Sequence, residues 1–174
     1  HFVGYGHALF EVDLYDSKNW DEVVDRVKRF AADHPNEAWI RGRGWDQNKW
    51  PGHSFPENDI LNGLFPDKPV LLTRVDGHAA VANAKALELA DITCATKIDG
   101  GSIELKSGKP TGTLVDNAVE LVLHQIAKDA ASDVKVYSRR REEYAHQAAL
   151  DKASGRNFDA KIKFAKIEGG LTDE

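Results

Sequence analysis

PVLLTRVDGHAAVANAKALEL, residues 69–89, is the stretch whose reading decides the fold. Val70-Leu71-Leu72 has the length and composition of a buried strand. The chain then breaks at Asp76-Gly77-His78, and the following alanine-rich run places Val81, Ala84, Leu87 and Leu89 on one helical face. A strand that empties into a polar turn before a helix is where α/β proteins place their chemistry. Gly77 gives that turn the backbone freedom to present Asp76 and His78. Two readings stand side by side: a functional pair, or a helix cap (Asp76) with a histidine packed beside it.

Upstream, Ser17 or Asp16 caps an expected helix. Trp20, Val23, Val24, Val27 and Phe30 fall at helical spacing, with Asp21, Glu22, Asp25, Arg26 and Lys28 on the other side. Pro35 ends it, because the residue before a proline avoids the helical conformation. A strand over Glu37 to Gly44 delivers Gly44-Trp45-Asp46-Gln47-Asn48-Lys49-Trp50-Pro51. Two tryptophans around four polar residues line a ligand cleft or pin the loop with their own rings. Asp46, Gln47 and Asn48 favour the cleft, since polar groups on an apolar wall are what small-molecule pockets use. Residues 56–65 read as a short helix with Ile60, Leu61 and Leu64 as its apolar side. Alternating strands and helices predict an α/β arrangement with some parallel pairing.

Downstream, residues near 100–115 read as a hairpin, with strands around Ile103-Glu104-Leu105 and Thr113-Leu114-Val115. Asp116, first of all a cap candidate, leads a helix carrying Val119, Leu121, Val122, Leu123 and Ile126. A second long helix is expected from Ser132-Asp133 through Tyr144 to Leu150. The tail, Asp159 to Ile167, alternates lysines with apolar residues in the manner of a strand. Such lysines usually blunt an exposed sheet edge.

Length and composition bound the function. A chain of 174 residues is long enough to bury a core, and 41% hydrophobic with 29% charged residues reads as globular. With a net charge of −5 and no basic stripe, nucleic acid is not an expected partner. A single cysteine, Cys94, excludes an internal disulfide framework and fits a reducing, cytoplasmic setting. No apolar run approaches membrane-spanning length and no signal-peptide pattern is visible, so a membrane is not expected either. The absence of methionine and the abrupt start at His1 suggest a frame that begins inside a larger protein.

The blocks RGRGWDQNKWP, PVLLTRVDGHAAVANAKALELA and GKPTGTLVDNAVELV, in this order, resemble the YtcJ-like branch of the metal-dependent amidohydrolase superfamily. The likeness spans roughly Gly4 to Val122. It implies a hydrolase of C–N bonds in small, amide-type, non-peptide substrates. It also implies a fragment of a (β/α)8 barrel plus its inserted α/β subdomain. Residues 1–16 would end the first barrel strand, 17–131 would form the inserted subdomain with its hairpin, and 132–174 would return through a helix to a partial barrel strand.

By the same resemblance, His1 would be the second histidine of a metal-binding His-x-His motif. Lys163, within Ile162-Lys163-Phe164 and ahead of Glu168-Gly169-Gly170, would be the carboxylated lysine ligand, though that spacing is shorter than the family's and Leu150 to Asp159 fits the family poorly. Trp45, Asp46, Gln47, Asp76 and His78 would face the substrate. The implied cofactor is one or two divalent metal ions, zinc above all, which lower the pKa of a bound water and polarise the carbonyl. The family's aspartate base and further histidines have no counterpart here, so the isolated chain is expected to be inactive. Two other classes stay open: a non-catalytic ligand-binding module, and a structural fragment prone to self-association.

Overall fold

A computed structural model describes residues 11–132 of the chain. The described residues up to Ala127 belong to one compact unit, and those from Lys128 onward to a second. In chain order the elements are β1 (Val12–Asp13), α1 (Trp20–Asp33), β2 (Ile40–Trp45), a 3₁₀ turn (Gln47–Lys49) and α2 (Asp59–Leu64). There follow β3 (Val70–Arg74), β4 (Ala79–Ala82), α3 (Ala84–Leu89), β5 (Gly101–Lys106) and β6 (Lys109–Asp116), and residues 117–132 are helical, α4. The strands form one six-stranded sheet in the order β1-β2-β3-β4-β6-β5. β1, β2 and β3 run parallel, and the remaining pairings are antiparallel.

The expectation of a helix directly after Asp76-Gly77-His78 is corrected here. Residues 79–82 are a strand that pairs back on β3, with Leu72 opposite Val81 and Thr73 opposite Ala80. Asp76-Gly77 is thus a hairpin turn, closed by the Gly77 N–H donating to the Arg74 carbonyl at 3.0 Å. Gly77 has φ +81°, the left-handed conformation such a turn needs. All four β4 residues are buried, so Ala79 to Ala82 sit where a close approach on both faces leaves room only for small side chains.

The sheet is packed on both faces. Ile40, Val70, Leu72, Ala79 and Val81 meet Val23, Val24 and Val27 of α1. On the other side Leu71, Ala80, Ala82 and Leu114 meet Ala86 and Leu87 of α3 and Ala118, Val119 and Val122 of α4. The cap of α1 is Asn19, whose Oδ1 accepts the Glu22 N–H at 2.8 Å, in place of Ser17 or Asp16. The helix ends as expected at His34. In α2 only Leu61 is buried; Ile60 and Leu64 are exposed, so that helix touches the core through one side chain. The β5–β6 hairpin forms as its turn residues predict.

What ends β4 and starts α3 is a buried asparagine cluster. Asn83 is fully buried, and its Oδ1 accepts from the Val70 N–H at 2.9 Å and the Ala86 N–H at 3.0 Å. Its Nδ2 donates to the carbonyls of Phe65 and Lys68, both at 2.9 Å. One side chain therefore caps α3, starts β3 and ties down the end of α2. Asn58 Nδ2 donates to the Ala82 carbonyl at 2.8 Å, and Asn62 Oδ1 accepts the Ala84 N–H at 2.6 Å. Gly112 passes directly over this cluster with φ +92°; a Cβ there would stand 2.4 Å from the Ala82 carbonyl and 2.5 Å from Asn58 Nδ2.

Asn83→Ala should destabilise the chain by about 3–4 kcal/mol, since it removes a cap and strands buried backbone groups that lose their partners. Urea unfolding of the chain measures it, and a loss below about 1 kcal/mol would mean the cluster is dispensable.

Candidate functional site

Strand direction brings the chemistry-bearing residues to one edge of the sheet. The carboxyl ends of β2 and β3, the β3–β4 turn and the carboxyl end of β6 all meet there. They carry Arg43 and Asp46, Arg74, Asp76 and His78, and Asp116.

Asp76 is consumed by its own turn. Its carboxylate takes a two-pronged ion pair from Arg74, with Nε to Oδ1 at 2.9 Å and Nη2 to Oδ2 at 2.7 Å. Oδ1 also accepts the His78 backbone N–H at 3.0 Å, an Asx turn. The Arg74 guanidinium lies 5.7 Å from the Phe55 ring centre, which covers it. The hydrogen bond from Arg74 first of all, with the His78 N–H and the Arg74 charge behind it, holds the Asp76 carboxyl below the usual carboxylate range.

His78 turns elsewhere. Its Nδ1 lies 3.0 Å from Asp116 Oδ1, and the Asp116 N–H donates to the His78 carbonyl at 2.7 Å. Its side chain stays 70% exposed. By strand alternation His78 shares the face of Ala80 and Ala82, the α3–α4 side. Asp116 was read as a helix cap; its carboxylate instead meets His78, across 38 residues of sequence.

The tryptophans do not form an open wall. Trp45 has no exposed surface and its Nε1 donates to the Leu72 carbonyl at 2.7 Å. Trp50 is buried too, donating to the Ser17 carbonyl at 2.8 Å, and the two ring centres are 5.9 Å apart. The loop is pinned by its own aromatics, and Trp45 belongs to the α1 face of the core. Asp46 caps the 3₁₀ turn through the Asn48 N–H at 3.1 Å. Gln47 is 6% exposed, and its buried Oε1 has no hydrogen-bond partner among the described residues. The five residues expected to face a substrate are therefore neighbours along one edge but not one constellation: Trp45 lies under one face, while His78 opens on the other.

Asp116, Arg43 and Arg74 belong to this edge and were not singled out from the sequence as site residues. The nearest signal is the strand-like run Thr113-Leu114-Val115, whose register against β4 brings its carboxyl end to the β3–β4 turn. Among the described residues no group of three or more His, Cys, Asp and Glu could hold a metal ion. The described donor set therefore does not fit a metal. His1 and Lys163, the expected ligands, lie outside the described residues, as do the helix expected beyond Asp133 and the lysine-bearing strand. No helix among the described residues is long and apolar enough to cross a membrane.

A family model described as "Amidohydrolase family" matches residues 1–156. The Bacillus subtilis protein YtcJ is 33% identical over 72% of this chain and 24% of its own length. The N-substituted formamide deformylase of Arthrobacter pascens is 35% identical over 59% of this chain and 19% of its own. A crystal structure of an uncharacterized metal-dependent hydrolase from Pyrococcus horikoshii superposes with a TM-score of 0.54 at 31% identity, over 73% of this chain and 23% of that one. The chain spans about a fifth to a quarter of the length of these three proteins.

Because the Asp76 carboxyl titrates below its usual range when folded, its pairing stabilises the fold above about pH 4, and the contribution is lost as pH falls below that. The pair is partly solvated, so Asp76→Asn should cost only about 0.5–1 kcal/mol at pH 7. Urea unfolding at pH 7 and pH 3 checks the sign: the gap between wild type and variant should narrow at the lower pH, and a gap that widens would overturn it.

Proposed function

The chain belongs to the amidohydrolase family, and from that premise we propose that it is part of a metal-dependent hydrolase of C–N bonds in small, non-peptide, amide-type substrates. The observation that carries the reading is the family match over residues 1–156, reinforced by 35% identity to an N-substituted formamide deformylase over 59% of the chain. In this reading the described residues are a wall of the substrate cleft and not the reacting centre. The divalent metal, zinc in the sharpest form of the proposal, is held by residues outside the described set, His1 and Lys163 among them. Residues 17–131 are the inserted α/β subdomain, 1–16 close the first strand of a (β/α)8 barrel, and 132–174 return to it.

The described residues can do three things for such a reaction. His78 offers an imidazole at a solvent-open edge, held by Asp116. Arg43 brings its guanidinium to the same turn: its Nη2 is 3.6 Å from where a Cβ on Gly77 would stand, and it has no ion-pair partner among the described residues. The Arg74–Asp76 pair keeps the turn in the conformation that presents them. All three are positioning roles, which act by orienting a substrate and not by attacking it.

The test compares the 174-residue chain with the product of a longer reading frame that contains it. N-benzylformamide is the probe, a secondary amide with the smallest acyl group. The longer protein should carry stoichiometric divalent metal and hydrolyse the probe in a chelator-sensitive manner, while the chain alone should show no turnover. In the longer protein His78→Ala should lower kcat/KM about tenfold, as loss of an orienting contact does, and leave bound metal unchanged. Turnover by the chain alone would sink the wall reading, and loss of metal from the His78 variant would make that residue a ligand.

A further inference from the structure

His78 and Asp116 are joined twice, through the imidazole Nδ1 and the carboxylate at 3.0 Å and through the Asp116 N–H and the His78 carbonyl at 2.7 Å. The double tie fixes the relative position of two residues that come from different hairpins. An ionised carboxylate only accepts hydrogen bonds, so the nitrogen facing it must carry the proton. A neutral imidazole has one proton to place, and with Nδ1 protonated, Nε2 is left as a bare acceptor. No described residue engages Nε2, and the side chain is 70% exposed. The Arg43 guanidinium reaches the same turn at Gly77, its Nη2 3.6 Å from where a Cβ there would stand, and has no ion-pair partner among the described residues, while Arg74, the other cation of the turn, is already committed to Asp76. The turn therefore carries one acceptor, at His78, and one multiple donor, at Gly77. A trans secondary amide carries the complementary groups on opposite sides of its C–N bond, an N–H donor on one and a carbonyl acceptor on the other, so it can lie across the turn between the two.

We propose that Asp116 is a positioning residue that holds His78 in its Nδ1-protonated form, so that His78 Nε2 accepts the N–H of an amide-type substrate whose oxygen is met by Arg43. This deepens the reading of the edge as a cleft wall and rests on it. It makes His78 a selector of substrates that carry an N–H, so tertiary amides of the same shape lack the matching donor and leave Nε2 unsatisfied.

Long-range ¹H–¹⁵N correlation spectra of the chain at pH 8, where free histidine is neutral, read the tautomer directly. The wild type should show a protonated Nδ1 and a bare Nε2, the form that free imidazole side chains favour less. Asp116→Gly removes the carboxylate without straining the backbone, because Asp116 sits at φ +49°, and should invert the ratio. Unchanged amide shifts across Ala79 to Ala82 and Leu114 establish that the variant keeps the sheet. A wild type with Nε2 protonated, or a variant with the wild-type ratio, would overturn the positioning role. Titration with N-benzylformamide should then move the His78 Nε2 resonance saturably in the wild type and in neither Asp116→Gly nor Arg43→Ala, while N-benzyl-N-methylformamide should not move it. If the tautomer is as stated but the secondary amide causes no shift, the inference about the dyad stands. The reading of this edge as a substrate wall then falls, and amide recognition with it.

Discussion

Four hydrogen bonds to one buried carboxamide decide where this chain turns from strand to helix. Asn83 accepts from Val70 and Ala86 and donates to Phe65 and Lys68, so every polar atom of its side chain is satisfied inside the protein. A buried amide with its full set of partners is specific as well as stabilising, because shifting the chain by one residue in either direction would leave those groups unpaired. Asn58 and Asn62 extend the same logic to α2 and to the last carbonyl of β4. With that junction fixed, β4 must lie antiparallel to β3, and the turn between them must project from the edge where the parallel strands β1 to β3 end.

Much of this architecture could be read from the sequence. The valine and phenylalanine spacing of α1, the apolar run of β3 and the turn residues between β5 and β6 each follow one local rule, and each element formed. The failure came at Ala79 to Ala82. Alanine is the strongest helix former, and a run of it carries no β-branched signal beyond Val81, so intrinsic preference pointed to a helix. Tertiary packing won, because β4 is buried on both faces and only small side chains fit between them. Asp76-Gly77 was the contrary signal: a Asp-Gly pair between apolar runs marks a hairpin more often than a helix start. Read that way, Asn83 becomes the obvious helix cap.

The site was less legible than the fold, and the reason is distance in sequence. Asp76 and Arg74 are two residues apart and their pairing could have been guessed. His78 and Asp116 are 38 apart and meet only because β4 and β6 are neighbours in the sheet. The tryptophans misled in a different way. Two indoles in a polar loop suggest an apolar wall, but each Nε1 found a backbone carbonyl within the core, which removes the usual cost of burying tryptophan and with it the need for an outside partner.

The turn divides its work between two side chains that look equivalent on paper. Asp76 spends its carboxylate inward, on Arg74 and on the His78 N–H, and a group so fully engaged has little left to offer a ligand. His78 spends one nitrogen on Asp116 and keeps the other. The asymmetry follows from the pleat of the hairpin: Arg74 and His78 leave the sheet toward opposite faces, so Asp76 can lock one side of the turn while the other stays open. Rigidity on the closed face is what makes an exposed imidazole on the open face useful. A side chain on a loose turn would surrender rotational freedom with each contact it made, whereas here much of that freedom is already lost when the chain folds.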